Sequence, residues 1–242
     1  MSDPGAEQHF LRLAARAETL AQDDPLRFAA QLLHAQASMA AQLAGLTGSL
    51  QRDLFAVRGA AEPLVAFVRS AAPEPPGPLN DEQLLGYWQG VSLEDWLART
   101  VLQPYLAALR FGKLSHDRPR PDGRCPYCGG LPWVASREPE AVGDGARRML
   151  HCSLCAFVWQ VNRIRCAACG EENPEKLPVF NADEHQGARI EACETCQAYV
   201  KSIDRTDDAR RLPEVDDLVS LGLDLWAQEQ GFTRIEPGLL WV

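Results

Sequence analysis

Apolar positions recur every three and four residues through the first half of the chain, which predicts amphipathic helices. Phe10, Leu13, Ala14, Ala17, Leu20 and Ala21 make the first stripe. Asp24-Pro25 ends that helix and opens the next, with Asp24 as the expected N-cap and Pro25 at the first helical position. The second stripe is Phe28, Leu32, Ala35, Met39, Leu43 and Leu46, and it fades at Gly45 to Gly48. A third run, Leu50, Leu54 and Val57, leads through Pro63 to Leu64, Val65, Phe67 and Val68. The prolines between Pro73 and Pro78 then break the pattern and predict a surface connector. Asn80 to Gln83 reads as a capping box before Leu84, Leu85, Tyr87 and Trp88. Ser92 to Asp95 starts a last helix carrying Trp96, Leu97, Val101, Leu102, Tyr105, Leu106 and Leu109, with Pro104 expected to kink it and Gly112 to cap it.

The pattern changes at residues 113–124, a polar, proline-bearing stretch read as a solvated linker. Beyond it the runs are short and strand-like: Leu131 to Ser136, Arg148 to His151, and Phe157, Trp159 and Val161 alternating with Val158, Gln160 and Asn162. Arg163 and Arg165 are expected on one face of a strand, either offsetting thiolate charge or forming a partner patch. Gln197 to Lys201 predicts a further strand. Leu212-Pro213 opens a final helix with Glu214, Asp216 and Asp217 in its first turn, favouring the helix dipole, and with Val215, Leu218, Val219, Leu221, Leu225 and Trp226 as its apolar surface. Gly231 ends it. The apolar tail at Leu239, Leu240, Trp241 and Val242 is expected either to dock or to act as an interaction tag.

All eight cysteines of the 242 residues fall in this second half, as four CxxC pairs: Cys125/Cys128, Cys152/Cys155, Cys166/Cys169 and Cys193/Cys196. The unit CxxC, 23 residues, CxxC is written twice, offset by 41, so the segment is an internal repeat. A CxxC knuckle offers two sulfurs from one tight turn, and two knuckles complete a tetrahedral thiolate site for zinc or iron. Glycine follows the first knuckle of each half, at Gly129 and Gly170, where the chain must turn back through positive φ; Ala156 and Gln197 follow the others. Sequential pairing is favoured, and interleaved pairing of the two middle knuckles is the alternative. Disulfides fit poorly with eight ligand-spaced cysteines and no secretory signal, and a thioredoxin-like pair fits poorly with strand-like flanks. Each half is too small to bury an adequate core, so metal supplies much of its folding energy. Trp133, Trp159 and Phe180 are candidates to shield the sulfurs.

Charge and composition narrow the function. The chain carries a net charge of -9. Between Gly112 and Leu212 basic and acidic residues balance at fifteen each, and no basic stripe with interleaved aromatics appears, which argues against nucleic acid. No GxSxG, P-loop, HExxH or GxGxxG is present, and four cysteines close a zinc site to substrate water, so no enzyme is expected. His151, Asp183, Glu184 and His185 read as loop residues rather than ligands or bases, and His9 and His34 as ordinary helix histidines. With no signal peptide and no run of about eighteen apolar residues, a cytoplasmic chain without a membrane span is expected.

Cys125-Pro-Tyr-Cys-Gly129, His151-Cys-Ser-Leu-Cys155, Trp159 to Arg165 running into Cys166-Ala-Ala-Cys-Gly170, Cys193-Glu-Thr-Cys196 with Tyr199 and Lys201, and Val215 to Asp224 resemble the FdhE family of formate dehydrogenase accessory proteins. The resemblance covers 125–242. It implies an α+β protein: an all-α helical domain (1–112), a linker (113–124), two tandem rubredoxin-like or zinc-ribbon four-cysteine modules (125–165 and 166–212) and a C-terminal helix and tail (213–242). It further implies a cytoplasmic, non-catalytic assembly factor, with metal ions, iron favoured and zinc the alternative, at Cys125, Cys128, Cys152 and Cys155 and at Cys166, Cys169, Cys193 and Cys196. The implied partner is the molybdenum- or tungsten-containing catalytic subunit of formate dehydrogenase, met before export. A rubredoxin-like electron carrier and a nucleic-acid-binding ribbon are the other classes.

Overall fold

A computed structural model describes residues 5–240 apart from 22, 73, 122 and 141–144. The expectations for Pro73, for the middle of the Glu138 to Gly145 loop, and for Trp241 and Val242 fall outside the described residues. The chain is mixed α and β and divides into two units. One comprises Met1–Pro121 with Pro126–Gly129 and Leu154–Ala156; the other comprises Asp122–Cys125, Gly130–Ser153 and Phe157–Val242.

The helical unit contains α1 (Ala6–Leu20), α2 (Asp24–Gln42), α3 (Leu50–Ala71), α4 (Asp81–Gln89) and α5 (Trp96–Phe111). In α1 the expected stripe is the buried one, from Phe10 through Leu13 and Ala14 to Ala17. In α2 the cap lies one residue earlier than expected: the side chain of Asp23 accepts from Leu26 N, and Pro25 sits inside the first turn. The buried surface of α2 is broader than one stripe, taking in Ala29, Leu33, Gln36 and Ala37, because α1, α3 and α5 all pack on it. Phe28, placed in the stripe by periodicity, is half-buried and stacks on Phe67 of α3. Asn80 and Gln83 form the expected capping box of α4, each side chain bonding the other's backbone N–H. α5 meets α1, α2, α3 and α4, and is buried on nearly every side.

The second unit is built, among the described residues, on one seven-stranded sheet: β1 (Pro132–Pro139), β2 (Ala146–Cys152), β3 (Val158–Val161), β4 (Val179–Asn181), β5 (Ala188–Ala192), β6 (Ala198–Asp204) and β7 (Thr233–Arg234). Its order is β3-β2-β1-β6-β5-β4, with β7 added in parallel at the start of β6. Each repeat half supplies an antiparallel meander of three strands, and the halves join through the parallel pair β1/β6, Val134 opposite Lys201 to Arg137 opposite Asp204. The two modules therefore share one sheet. One face carries Ala135, Leu150 and Val200 with Trp159 and Val161; the other carries Ile190, Ala192 and Tyr199 under Leu223 and Ala227. Trp159 and Phe180, proposed above as sulfur shields, pack on these two clusters.

The expected single C-terminal helix is three pieces: α6 (Pro213–Asp216), a 3-10 turn Asp217–Ser220, and α7 (Leu221–Glu229). The segment bends because Asp217 and Ser220 are drawn onto the sheet, where their carbonyl oxygens accept from Lys201. Leu223 and Ala227 face the sheet, whereas Val219 and Leu225 are exposed. In the tail, β7 pairs with β6 and Leu239 is buried, which favours docking over a free tag within the described residues. Among those residues no helix is long and apolar enough to cross a membrane.

Candidate metal centres

The structure gathers the eight cysteines into two groups of four in sequential pairing: Cys125, Cys128, Cys152 and Cys155, then Cys166, Cys169, Cys193 and Cys196, with the sulfurs of each group within 4.8 Å of one another. Each half places them alike, one knuckle before its first strand and one between its second and third. No cysteine is in a disulfide. In the second group Cys166 Sγ lies 3.7 Å from Cys196 Sγ, and Cys169 Sγ lies 3.7 Å from Cys193 Sγ. A tetrahedron with metal–sulfur bonds of about 2.3 Å has edges of about 3.8 Å, so the donor set fits a zinc- or iron-sized ion.

The knuckle turns explain the geometry. Gly129 (φ 69) and Gly170 (φ 81) take the left-handed conformation expected of them, and so do Ala156 (φ 59) and Gln197 (φ 56). All four knuckles share one turn, which two of them complete without glycine. The N–H groups of Ala168 and Cys169 point at Cys166 Sγ, 3.3 and 3.5 Å away, as thiolate ligation requires.

Without a cation the environment acts unevenly on the sulfurs of the second group. Burial raises the Cys166 thiol above its ordinary value, and burial together with the crowding thiols raises Cys196 further. Burial also acts against Cys193, but the N–H groups of Cys196 and Thr195 outweigh it and hold that thiol below its ordinary value. A divalent ion would take the place of the missing protons, so binding there releases protons.

The two groups differ in exposure. All four cysteines of the first are buried. In the second, Cys166 and Cys193 are buried, while Cys169 is exposed and Cys196 stands at the solvent edge.

The knuckle tips of the first group are held within the helical unit by residues read above as solvated linker. His116 Nε2 is 3.0 Å from Tyr127 O, and Arg118, 5% exposed, donates to Cys128 O. Trp88 Nε1 donates to Asp117 at 2.9 Å, and Arg110 Nε donates to Cys155 O at 2.8 Å. Burial pulls the His116 imidazole below its ordinary pKa. Periodicity is silent here because the segment has no regular structure and is ordered by tertiary hydrogen bonds.

Arg163 and Arg165 lie in a bend rather than a strand, and pair with Glu140 at 2.9 Å and Glu172 at 2.7 Å. Arg148 is buried; its guanidinium donates to Glu191 at 2.6 Å and to Arg165 O at 2.7 Å, fixing the approach to Cys166.

Behind the sheet the motif residues Tyr199, Lys201, Asp217 and Asp224 form one buried network with Arg234. Lys201, 0% exposed, donates to Asp224 and lies 3.1 Å from Asp217 Oδ1. Arg234 pairs with Asp217 at 2.7 Å and Asp224 at 3.1 Å, and Tyr199 OH donates to Asp224 at 2.8 Å. Asp217, expected at a helix dipole, is instead one of two carboxylates facing two cations. Burial acts to raise its pKa, but Arg234 and Lys201 prevail and hold it low.

A second buried chain runs from Ser136 Oγ to His151 Nε2 (2.9 Å) and from His151 Nδ1 to Glu214 Oε1 (2.8 Å). Serine, histidine and carboxylate are the members of a nucleophilic triad, but here Ser136 is wholly buried and its hydroxyl donates to Glu138 at 2.9 Å. The arrangement ties β1, β2 and α6 together. Asp183, Glu184 and His185 form a 3-10 turn, the two carboxylates exposed and His185 half-buried, and none of them joins either cysteine group.

Residues 164–241 match the family model described as FdhE, C-terminal domain. A stretch of 116 residues is 38% identical to a protein FdhE homolog of Aquifex aeolicus, covering 48% of this chain and 41% of that one. Protein FdhE of Escherichia coli K12 is 33% identical over 140 residues, 57% of this chain and 44% of its own. The chain is similar in sequence to FdhE proteins over part of its length. It spans about half the length of the curated FdhE relatives it matches. The fold is shared across nearly its whole length with the crystal structure of the FdhE protein from Pseudomonas aeruginosa: TM-score 0.70, 24% identity, 99% of this chain and 97% of that one.

Proposed function

We propose that this protein is a non-catalytic accessory factor for the assembly and maturation of formate dehydrogenase, binding the molybdenum- or tungsten-containing catalytic subunit in the cytoplasm before its export and supporting its activation. The observation that carries this reading is the match of residues 164–241 to the FdhE C-terminal domain; the paired four-cysteine groups are consistent with it. Each group holds one metal ion, iron by family resemblance or else zinc, which when bound supplies fourfold thiolate cross-linking of its half of the sheet and, if iron, one-electron chemistry.

Co-purification of the tagged protein from its own cells, grown under conditions that induce formate dehydrogenase, should recover the catalytic subunit. Replacing Cys166 and Cys169 together by serine should remove about one metal equivalent per chain and lower formate dehydrogenase activity in cells. Full metal content with full activity would sink the proposal.

The exposure of Cys169 and Cys196 favours a second reading, a rubredoxin-like electron carrier, because electrons enter a centre most readily through ligands at the surface. That reading requires bound iron and a visible spectrum that bleaches reversibly on reduction. A zinc-filled protein with no such change excludes it.

A further inference from the structure

The internal repeat contains its own comparison. Leu150 of β2 pairs with Ala135 of β1, and the residue 41 positions later, Glu191 of β5, pairs with Val179 of β4. Met149 opposite Ser136 matches Ile190 opposite Phe180, and Arg148 opposite Arg137 matches Arg189 opposite Asn181. Val179, Phe180 and Asn181 are thus the structural counterparts of Ala135, Ser136 and Arg137. Those three residues of β1 receive β6 in parallel on their far side, opposite Ser202, Ile203 and Asp204. Among the described residues the same side of β4 carries no strand, since β4 closes the sheet order.

The main chain at that edge is aimed outward. Pro178 O accepts from Ala192 N and Lys176 O from Glu194 N, so the even-numbered residues face β5. By the antiparallel alternation, Val179 and Asn181 direct N–H and C=O away from it. Their counterpart Arg137 does the same in β1, where its carbonyl accepts from Arg205 N at the end of β6. Beside the open edge runs a groove of about 490 Å³ between β4 and α7, lined by Phe180, Leu223 and Trp226 and rimmed by Glu184 and His185. Phe180 and Trp226 pack with ring centroids 4.7 Å apart and form its apolar floor.

We propose that the open edge of β4 is a binding site for an extended peptide segment of a partner protein, added parallel to β4 as β6 is added to β1. Val179 and Asn181 supply the main-chain hydrogen bonds, and alternate side chains of the peptide enter the groove over Trp226. The charge at the rim selects the sequence: Asp183 and Glu184 are exposed and acidic at the end of β4, so the segment carries a basic residue there. A second copy would have to offer its own edge β3 head to tail, giving a ring or a filament, or its own β4 about a two-fold axis, giving a dimer. A peptide satisfies the same groups once. The site stands independently of the accessory role.

The test uses the full chain, loaded with metal, and fluorescein-labelled ten-residue peptides of alternating valine and threonine bearing arginine at the amino end, at the carboxyl end or nowhere. Saturable binding is expected, tightest with arginine at the carboxyl end, which parallel addition brings to Asp183 and Glu184, together with slowed amide exchange at Val179 and Asn181; tightest binding with arginine at the amino end overturns the parallel arrangement. Val179→Pro removes one outward N–H and no bond to β5, so it should keep the circular dichroism and weaken binding about tenfold. Asp183→Asn with Glu184→Gln should abolish the preference for arginine. No saturable binding by any peptide, or exchange protection elsewhere, overturns the proposal, and the exchange pattern of the unsubstituted protein decides should Val179→Pro misfold. Self-assembly that Val179→Pro abolishes and peptide does not compete overturns it in favour of a second copy.

Discussion

Ala156 and Gln197 carry the strain of a turn that Gly129 and Gly170 make freely. A left-handed backbone costs a residue with a Cβ about 1 kcal/mol, and Ala156→Gly should recover about that much in denaturant unfolding of the metal-loaded protein. Gln197→Gly should gain less, because the Gln197 side chain donates to Glu194 O at 2.8 Å. The reverse change is not symmetrical between the repeats. A Cβ on Gly129 would sit 2.5 Å from Pro119 O and 2.8 Å from Arg120 Cα, both backbone, whereas one on Gly170 would meet only the end of the Arg165 side chain at 3.2 Å. Gly129→Ala should therefore destabilise the protein more than Gly170→Ala, measured as the difference in unfolding midpoints; equal losses would refute the backbone clash.

Among the elements, the segment from α6 to α7 is held to the sheet by charge as much as by apolar contact. Lys201→Met leaves Asp217 and Asp224 facing a single cation, and removing one partner of such a buried network costs about 3–5 kcal/mol. Denaturant unfolding followed by tryptophan fluorescence should report that loss. That network and the separate pairing of Glu191 with Arg148 and Arg189 predict an acid limit. Asp217 and Glu191 both have folded pKa values held below their unfolded ones, Asp217 by Arg234 and Lys201 and Glu191 by Arg148 and Arg189, in each case against the opposing effect of burial. A depressed carboxylate contributes stability that is full above its unfolded pKa and is lost as pH falls through the folded one. Stability should hold from neutral pH down to the ordinary carboxylate range and then decline, and Lys201→Met should flatten that decline.

For the whole molecule, the two metal groups are equal in sequence spacing and unequal in access. Metal leaves a thiolate site when a competing ligand or a proton reaches a sulfur, and only the second group presents sulfurs to solvent. Release to the chromogenic chelator 4-(2-pyridylazo)resorcinol should be biphasic, with the fast phase absent from a Cys169→Ser, Cys196→Ser variant. A single phase would show that exposure does not govern release.

The sequence by itself determined the local features: the helices of the first half, the capping box at Asn80, the strand alternation around Trp159, the eight cysteines as two repeated quartets, and the glycine turns at 129 and 170. These depend on period, cap chemistry and backbone φ, which neighbouring residues fix. Tertiary structure decided the rest. It joined the repeats into one sheet through β1 and β6, placed Arg118 and His116 on a knuckle, and turned Asp217 and Glu214 from helix-end charges into buried partners of Lys201, Arg234 and His151. It also buried one cysteine quartet and exposed half of the other. Each of those outcomes depends on residues far apart in the chain, and on burial, which gives a charge its partner and a sulfur its access but leaves no periodic mark in the sequence.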